Sequence, residues 1–310
     1  RWIRKNIIKD MDFTVVLEAT GVYHEKVAYH LYQKKHKIAI VLPGKINAYF
    51  KSTNKRSIND KISARLIAEF GLMRKLDLWT PPSPVLRKLK LLVRERMRLL
   101  DDRTIAQNRA HALKSSACII DTTKRRVNTL INMLNEQIKE IENEIKEILQ
   151  QEPILYEKIK KICTIKGVGI ITAVTVVAET NGFSLIRNVR QLVCYAGYDV
   201  IKKESGISVR KGGNISHRGN KIIRKALYFP AITSVQLNES FFHNFYNRLL
   251  TRHSIKMKAY VAVQRKLLIL IYTLWKNNEE YNPEKHNSNK FLEQSLVKTA
   301  LIELDQCPLI

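Results

Sequence analysis

A proline cluster at Trp79–Pro84 (WTPPSP) constrains the fold of this chain more than any other segment, because no regular helix or strand continues through it. Before the cluster, two β-branched runs, Phe13–Leu17 and Lys37–Leu42, flank a segment with helical spacing at Val22–Lys34. This β–α–β order predicts two parallel strands joined by a crossover helix. We therefore predict that residues 1–82 form an α/β domain with a parallel sheet.

The segment after the cluster is predicted to be mainly helical. Val85–Ser116 repeats apolar residues at three- and four-residue steps and predicts a long basic helix. Val127–Gln151 has an apolar seam typical of a coiled-coil arm, formed by Leu134, Ile138, Ile141, Ile145 and Ile148. The partner of this seam is either a second chain or the Val85–Ser116 helix. We predict a connector at residues 83–152, an all-α domain at 153–276 and a polar tail at 277–310.

The chain is strongly basic, with 54 Lys and Arg against 28 Asp and Glu, a formal charge of +26 and a pI near 10.0. Such a charge predicts attraction to a polyanion, and nucleic acid is the expected partner. A membrane surface is the alternative, but no apolar run has the length of a spanning helix. The longest, Tyr260–Trp275, is interrupted by Gln264, Arg265 and Lys266. We predict that no membrane is involved.

The cysteines indicate the compartment. The four thiols, at Cys118, Cys163, Cys194 and Cys307, are far apart in the sequence, so neither a zinc knuckle nor a disulfide framework is predicted. We also find no pattern of a secretory signal peptide. The expected location is the reducing bacterial cytoplasm, in association with the nucleoid.

The stretch Ala196–Leu227 contains the candidate reactive residue, Ser205, in a Ser-Gly pair. Between Lys202 and Lys225 it carries one acid, Glu204, and eight basic residues: Lys202, Lys203, Arg210, Lys211, Arg218, Lys221, Arg224 and Lys225. We predict a loop in which Gly212, Gly213 and Gly219 bring backbone N–H groups close to a nucleic-acid phosphate. The alternative is a basic surface loop in which Ser205 is a turn residue.

Two further segments are candidates for nucleic-acid contact. Lys166-Gly167-Val168-Gly169 separates two apolar helical runs and is typical of a helix-hairpin-helix, whose turn offers backbone N–H groups to DNA phosphates. Such a turn also occurs in ordinary helix packing. Arg94 and Arg98 on the long basic helix are predicted to contact a phosphate backbone, and the alternative is a solvated helix surface.

Glu18 and Asp60 are the candidate metal ligands. Glu18 follows the first predicted strand, at the edge where open α/β sheets place their ligands, and Asp60 stands near the start of a helix predicted at Ile62–Lys75. Carboxylates that converge there would bind Mg²⁺ through oxygen. Alternatively, Asp60 is a first-turn acid that interacts with the helix dipole, and Glu18 is a solvated acid.

Five motifs, in the same order along the chain, resemble the transposases of the insertion sequence 110 family. They are EATGVYHE at Glu18–Glu25, VLPGKI at Val41–Ile46, NDKISARLIAEF at Asn59–Phe70, IKGVGIITA at Ile165–Ala173, and YAGYD…ESG…ISHRGNKIIRKALY between Tyr195 and Tyr228. The resemblance extends from about Phe13 to Trp275. It implies a RuvC-like (RNase H-like) domain with four acids, a coiled-coil connector and a helical domain that carries a serine.

The resemblance also implies an activity and its residues. The family cuts and rejoins double-stranded DNA, uses Mg²⁺ and a structured guide RNA, and is expected to act as a homo-oligomer. Glu18 matches the second family acid, Asp60 the third and Ser205 the serine nucleophile, whereas Ser63 occupies the position of the fourth acid. Since the first acid would precede this sequence, we expect a truncated domain and an inactive chain. The alternative is a non-catalytic DNA- or RNA-binding protein.

Overall fold

A computed structural model describes residue 5 and residues 11–53, 59–118, 120–184, 186–205, 209–216, 218–237 and 241–286. Within these residues the chain is mostly helical and forms two compact units, Arg1–Pro82 and Ser83–Ile310. The boundary lies in the proline cluster. Most of the polar tail predicted from residue 277 onward lies outside the described residues.

The first unit contains a two-stranded parallel sheet, as the β–α–β order predicts. Strand β1 (Thr14–Glu18) pairs with β2 (Lys37–Val41) in a register that places Thr14 opposite Lys37 and Glu18 opposite Val41. Helix α1 (Glu25–Gln33) connects the strands and buries Ala28 and Leu31. The predicted helix, Val22–Lys34, is thus shortened at its N-terminal end.

Two more helices complete the first unit. Helix α2 (Pro43–Ser52) follows β2 directly, with Pro43 in its first turn, where a missing N–H costs nothing. Helix α3 (Asp60–Met73) contacts β1, and its small core includes Val41, Ile46 and Phe70. Helix α2 was not predicted, because the sequence interpretation ended the element at Pro43-Gly44 and assigned Lys51–Lys61 to a loop.

The second unit begins with a pair of long helices, α4 (Pro84–Lys114) and α5 (Asp121–Gln150). Arg96 contacts Glu142 at 2.7 Å and Arg103 contacts Asn135 at 3.1 Å, so the helices run antiparallel. The structure therefore gives the α5 seam an intramolecular partner. Its buried residues are Val127, Leu134, Ile138, Ile145 and Leu149.

The remaining elements of the second unit surround one large core. In chain order they are α6 (Pro153–Cys163), α7 (Ile170–Glu179), α8 (Val189–Ala196), strands β3 (Val200–Ser205) and β4 (Val209–Ile215), α9 (Lys221–Ala226), α10 (Tyr228–Gln236), α11 (Phe241–His253), α12 (Lys256–Asn277) and α13 (Pro283–His286). Helix α7 is buried over most of its length, and α12 supplies a row of fully buried residues, including Val263, Leu267 and Ile271. No described helix meets the length and hydropathy needed to cross a bilayer.

The predicted loop between Ala196 and Lys221 is instead largely a β-hairpin. Strands β3 and β4 pair antiparallel, with a register shift between Ile201 and Lys203. Gly212 and Gly213 lie within β4 and not in a loop. The prediction was wrong because the strands are basic and contain glycine, a composition with low strand propensity.

Candidate nucleic-acid interface and active site

Ser205 is the last residue of β3 and pairs across the hairpin with Val209. The three residues that connect the strands, 206–208, lie outside the described residues, as do the side chains of residues 202–214. The described backbone therefore assigns Ser205 to the tip of the hairpin, at the end remote from its attachment to the helices.

The register of the hairpin brings its basic residues together. Lys203 pairs with Lys211, and Glu204 pairs with Arg210. The backbone register therefore places basic residues of the two strands at opposed positions. Lys202 is also on β3.

The hairpin is anchored at its base by Ser216 and Asp199. The Ser216 hydroxyl donates a hydrogen bond to the Asp199 carboxylate at 2.5 Å, and the Ser216 N–H donates to the Asp199 carbonyl at 2.7 Å. The Ser216 oxygen also accepts from the Arg218 N–H at 3.2 Å. Ser216, the other serine of the motif, is therefore engaged in hydrogen bonds that hold the base of the hairpin together.

Two glycines allow the backbone segments at the hairpin base to touch. Gly197 has a φ of +75° and ends helix α8 in the left-handed conformation. A Cβ added to Gly219 would lie 2.4 Å from the Gly197 nitrogen and 2.6 Å from the Tyr195 carbonyl oxygen. A side chain cannot fit there. Gly219 is therefore needed for close backbone packing.

A buried carboxylate, Glu179, connects this region to the long basic helix. Its side chain is fully buried, with 0% exposure, and it receives two hydrogen bonds from Arg94, at 2.7 Å and 3.0 Å. Lys90 lies 3.8 Å away, and the Asn220 amide donates to Glu179 at 2.7 Å. The Tyr195 hydroxyl donates to the Glu179 carbonyl at 2.7 Å, and burial raises the pKa of Tyr195.

Asn220 in turn caps helix α9. Its side-chain oxygen accepts from the N–H groups of Ile222 and Ile223, at 2.9 Å and 3.3 Å. One chain of contacts thus runs from α4 through Glu179 to the residue that starts α9. Sequence reasoning missed Glu179 and Asn220, because each pairs with residues far away in the sequence, and neither belongs to a local pattern.

The predicted nucleic-acid contacts on the helices have different environments. Arg94 donates two hydrogen bonds to the buried Glu179, while its side chain is 42% exposed. Arg98 is exposed and contacts Glu95 within its own helix at 3.2 Å. Arg224 donates to the Ala196 carbonyl at 2.7 Å, which supports the turn at Gly197. Arg218 and Lys221 are exposed.

The turn between α6 and α7 has one covered side and one open side. Gly167 has a φ of +97°, and a Cβ there would meet the Ser234 oxygen of α10 at 2.8 Å. The Ser234 hydroxyl donates to the Lys166 carbonyl at 2.9 Å. Gly169, by contrast, has no heavy atom within 4 Å of a Cβ position, and it begins α7 without a side-chain cap. The start of α7 and the exposed Lys166 therefore remain accessible to an anion.

The acids of the first unit do not form a metal centre among the described residues. Glu18 is half-buried at the end of β1, and Asp60 is exposed in the first turn of α3, behind the cap residue Asn59, which accepts from the Ile62 N–H at 2.9 Å. No group of three or more His, Cys, Asp or Glu within the described residues has the geometry to hold a metal ion. The two carboxylates alone do not fit a complete Mg²⁺ site, which needs more oxygen ligands.

Comparisons with known proteins show which protein families and relatives the chain is similar to. A family model for DEDD transposases of the IS110 type, with the description 'Transposase', matches residues 1–119. A second, described as the transposase IS116/IS110/IS902 family, matches residues 159–247. The chain is 28% identical over 289 residues to the pilin gene-inverting protein of Moraxella bovis. This alignment covers 92% of this chain and 87% of the Moraxella protein. The same values apply to the pilin gene-inverting protein of Moraxella lacunata.

An α/β unit followed by a basic helical unit, together with these matches, defines a DNA transposase or recombinase. More narrowly, the chain is similar over both matched stretches to transposases of the IS110/IS116 family, a class of protein that acts on DNA. DEDD transposase domains are RuvC-like and generally depend on divalent metal ions.

Proposed function

We propose that the chain cuts and rejoins DNA strands with Ser205 as the nucleophile. The observation that carries this proposal is the position of Ser205 in the chain: it ends β3 at the tip of a hairpin in which Lys203 pairs with Lys211. A strand that approaches the tip would have its phosphate charge neutralised by lysine and arginine beside the serine. The family resemblance of the Ser-Gly motif supports the same residue.

The proposed step conserves the energy of the phosphodiester. The Ser205 Oγ forms a bond to phosphorus while the bond from phosphorus to one deoxyribose oxygen breaks. The serine proton passes to a base, and the departing sugar oxygen takes up a proton. Attack of a second sugar hydroxyl on the serine phosphodiester reverses these events and joins new DNA ends. No nucleotide cofactor is needed, because one ester replaces another.

A covalent adduct is the direct test. The chain, carrying Ser63→Asp to restore the fourth family acid, is incubated with a supercoiled plasmid that carries its coding segment and flanking DNA, then denatured in SDS and digested with nuclease. We expect a nucleotide-modified peptide containing Ser205 in mass spectrometry, and none with Ser205→Ala. Ser216→Ala is the matched control and should retain the adduct, because the Ser216 hydroxyl is bonded to Asp199. An adduct that survives Ser205→Ala would exclude the proposal.

We further propose that the nucleic-acid backbone contacts the hairpin, α9 and the α6–α7 turn. The residues proposed for this role are Lys166, Gly167, Gly169, Lys202, Lys203, Arg210, Lys211, Arg218, Lys221, Arg224, Arg94 and Arg98. Support comes from the exposure of Lys166, Arg218 and Lys221 and from the open N-terminus of α7. Neutralising an exposed contact residue, for example by Lys221→Gln, should lower DNA affinity and reduce its dependence on salt.

For the acids, we propose that Glu18 and Asp60 contribute carboxylates to a Mg²⁺ site. Ser63 lies one helical turn after Asp60 on α3, and serine lacks the charge of the fourth family acid. We therefore propose that strand cleavage by this chain is weak or absent as it stands. Ser63→Asp should lower the Mg²⁺ concentration needed for cleavage, as measured by plasmid nicking. No change in that concentration would argue against a metal role for this helix.

The family resemblance supports a structured RNA partner and a homo-oligomer, and the charge of +26 agrees with a polyanionic partner such as RNA. RNA that co-purifies with the chain can be sequenced, and the mass of the complex can be measured by light scattering. The relatives named for inverting a pilin gene favour inversion as one outcome of strand exchange. A reporter flanked by inverted element ends would detect it, and strictly one-way insertion in that assay would limit the reaction to transposition.

A further inference from the structure

Two basic side chains of the second unit lie near one aromatic ring, and a third, Arg265, interacts electrostatically with one of them. The Arg248 guanidinium lies 5.5 Å from the ring centroid of Phe245 on α11, and the Lys266 ammonium lies 5.7 Å from the same centroid. Arg265 is the neighbour of Lys266 on α12. Helices α11 and α12 pack against each other, so these charges come from two elements and form a single cluster.

The cluster lacks a compensating acid among the described residues. No carboxylate within ion-pair distance is found for Arg248, Arg265 or Lys266, although such pairs form elsewhere in the second unit. The Nε atom of Arg265 is buried and has no hydrogen-bond partner in the described part of the chain. A buried donor without a partner is costly, so this atom is available to an acceptor that enters the cluster.

The electrostatics agree with this geometry. Burial, together with the neighbouring charges of Arg265 and Arg248, lowers the pKa of Lys266 to about 8. Burial also lowers the pKa of Arg265. Like charges held together without a counter-ion raise the free energy of the folded chain, and a bound anion would remove that cost.

The cluster lies near the base of the hairpin that ends at Ser205. Gln264, the residue before Arg265, accepts a hydrogen bond from the Tyr198 hydroxyl at 2.9 Å, and both side chains are buried. Tyr198 precedes β3 by two residues. Cys194 on α8 also interacts electrostatically with Arg265. An anion bound at the cluster would therefore be fixed relative to the start of β3.

We propose that Arg248, Arg265 and Lys266 form a binding site for a backbone phosphate of a nucleic-acid strand. The proposal rests on the proposed function insofar as the strand is one that the chain processes. The aromatic residues favour nucleic acid over a free inorganic ion: Phe241 and Phe245 are half-buried and stacked, with an interplanar angle of 8° and centroids 6.0 Å apart. Cations interleaved with aromatic rings are typical of surfaces that bind nucleic-acid strands.

The first test does not depend on DNA. Thermal unfolding of the full chain is followed while sodium sulfate, a phosphate analogue, replaces chloride at constant ionic strength. We expect a saturable rise in Tm with sulfate for the original chain. Lys266→Met keeps the apolar stem against Phe245 and removes the charge, so the Tm in chloride should stay equal or rise, and the saturable response to sulfate should disappear.

A matched control is available on the same helix. Lys276 is exposed near the end of α12 and lies 5.7 Å from the ring centroid of Tyr272, so it repeats the cation–ring contact outside the cluster. Lys276→Met should leave the sulfate response unchanged. If Lys266→Met lowers the Tm and the sulfate response persists, the three cations are packing groups only, and the proposal is wrong.

The second test identifies the source of the phosphate. Binding of a DNA duplex and of an RNA duplex is measured against salt concentration for the original chain, Lys266→Met and Lys276→Met. Loss of one charged hydrogen bond to phosphate should weaken binding about tenfold. For DNA it should reduce the slope of log K against log[salt] by about 0.9. A loss confined to one duplex assigns the site to that nucleic acid.

The outcomes separate this site from the proposed function. A lost sulfate response without any change for either duplex would contradict a nucleic-acid site. Failure of Ser205 to form an adduct, with the sulfate and duplex responses as expected, would reject the serine chemistry and retain the phosphate site.

Discussion

At the scale of single residues, Glu179 connects several elements of the second unit. It is a fully buried acid that contacts Arg94 of α4 and Asn220, the cap of α9, while its carbonyl accepts from Tyr195. A buried charge is tolerated only when it is paired and hydrogen-bonded, and each of these partners comes from a different part of the chain. Glu179 therefore links the hairpin base to α4 through hydrogen bonds, in addition to the packing of the shared core.

Replacing Glu179 tests this dependence. Glu179→Ala should lower the free energy of unfolding by about 3–5 kcal/mol, because it leaves Arg94 and Asn220 without their partner. Chemical denaturation followed by circular dichroism measures the change. Glu157→Ala is the control, since Glu157 is 63% exposed in its pair with Lys160, and it should cost less than about 1 kcal/mol. Equal losses for the two variants would contradict the role assigned to Glu179.

Gly219 offers a second residue-level prediction. Gly219→Ala places a methyl group 2.4 Å from the Gly197 nitrogen, so the two backbone segments must separate. We expect a loss of about 1–3 kcal/mol in the free energy of unfolding. The comparison is Gly169→Ala, which has open space around its Cβ position and should lose no more than about 1 kcal/mol, from its place at the start of α7. Denaturant midpoints of the two variants measure the difference.

The depressed pKa of Lys266 predicts a pH dependence of stability. Lys266 has a pKa of about 8 in the folded chain, against 10.5 for the free group, and it faces Arg265 and Arg248. Between these values the unfolded chain binds more protons, so the contribution of this group to stability rises with pH. Below pH 8 the cost of its buried charge is fully present. In a plot of Tm against pH, Lys266→Met should reduce the rise of Tm above pH 8. If Lys266→Met leaves that plot unchanged, the lowered pKa of Lys266 is contradicted.

At the scale of elements, apolar periodicity predicted the apolar elements well and the basic, glycine-containing β4 strand poorly. The strands β1 and β2 and the helices α4, α5, α11 and α12 follow their apolar spacing closely. The β3–β4 hairpin does not, because VRKGGNI has the composition of a loop and is held by pairing and by contacts at its base. Helix α2 was missed because Pro43-Gly44 marks a turn as readily as a helix start.

The residues of the candidate site also fall into two groups, those that a local motif reveals and those that it does not. Ser205, Glu18 and Asp60 are found through local motifs, since each stands in a short, distinctive segment. Glu179 and the cation cluster at Arg265 are not, since their environments arise from contacts between residues that are distant in the sequence. The same holds for Arg94: a basic residue on a long helix resembles any surface cation until its buried partner is known.

The α4–α5 pair supports an element-level prediction. Ile138 is 5% exposed in the seam between these helices, outside the main core of the second unit. Ile138→Ala should lower the free energy of unfolding by about 2–5 kcal/mol through loss of buried methylene groups and the cavity left behind. Met133→Ala, at a position 47% exposed on the same helix, should cost less than about 1 kcal/mol. Equal shifts of the denaturation curves of the two variants would contradict the burial of Ile138 between α4 and α5.

At the scale of the whole molecule, the chain is two units of unequal size. The first has a two-stranded sheet and a small core around Val41, Ile46 and Phe70, whereas the second has a core shared by most of its helices. A larger core buries a greater fraction of its surface and is more stable by itself. The division falls at Pro82, where the sequence also predicts a boundary.

A fragment tests this division. Residues 83–310 should fold alone and unfold in a single cooperative transition, at the temperature of the corresponding transition in the full chain. The fragment should also bind DNA with a strong dependence on salt, because it contains the hairpin and the basic helices. Calorimetry and binding measured side by side check both expectations. A fragment without a cooperative transition would show that the second unit needs the first.

The rigid attachment of Arg94 to Glu179 has a geometric consequence. From Arg94 to Lys114, helix α4 advances about 30 Å at about 1.5 Å per residue, with α5 bracing it along that length. The far end of this arm is thereby held at a set distance from the hairpin base, equivalent to about nine base pairs of B-form duplex at about 3.4 Å each. For a duplex that contacted both the hairpin base and the tip of this arm, the length of the helix pair would set the spacing of the two contacts.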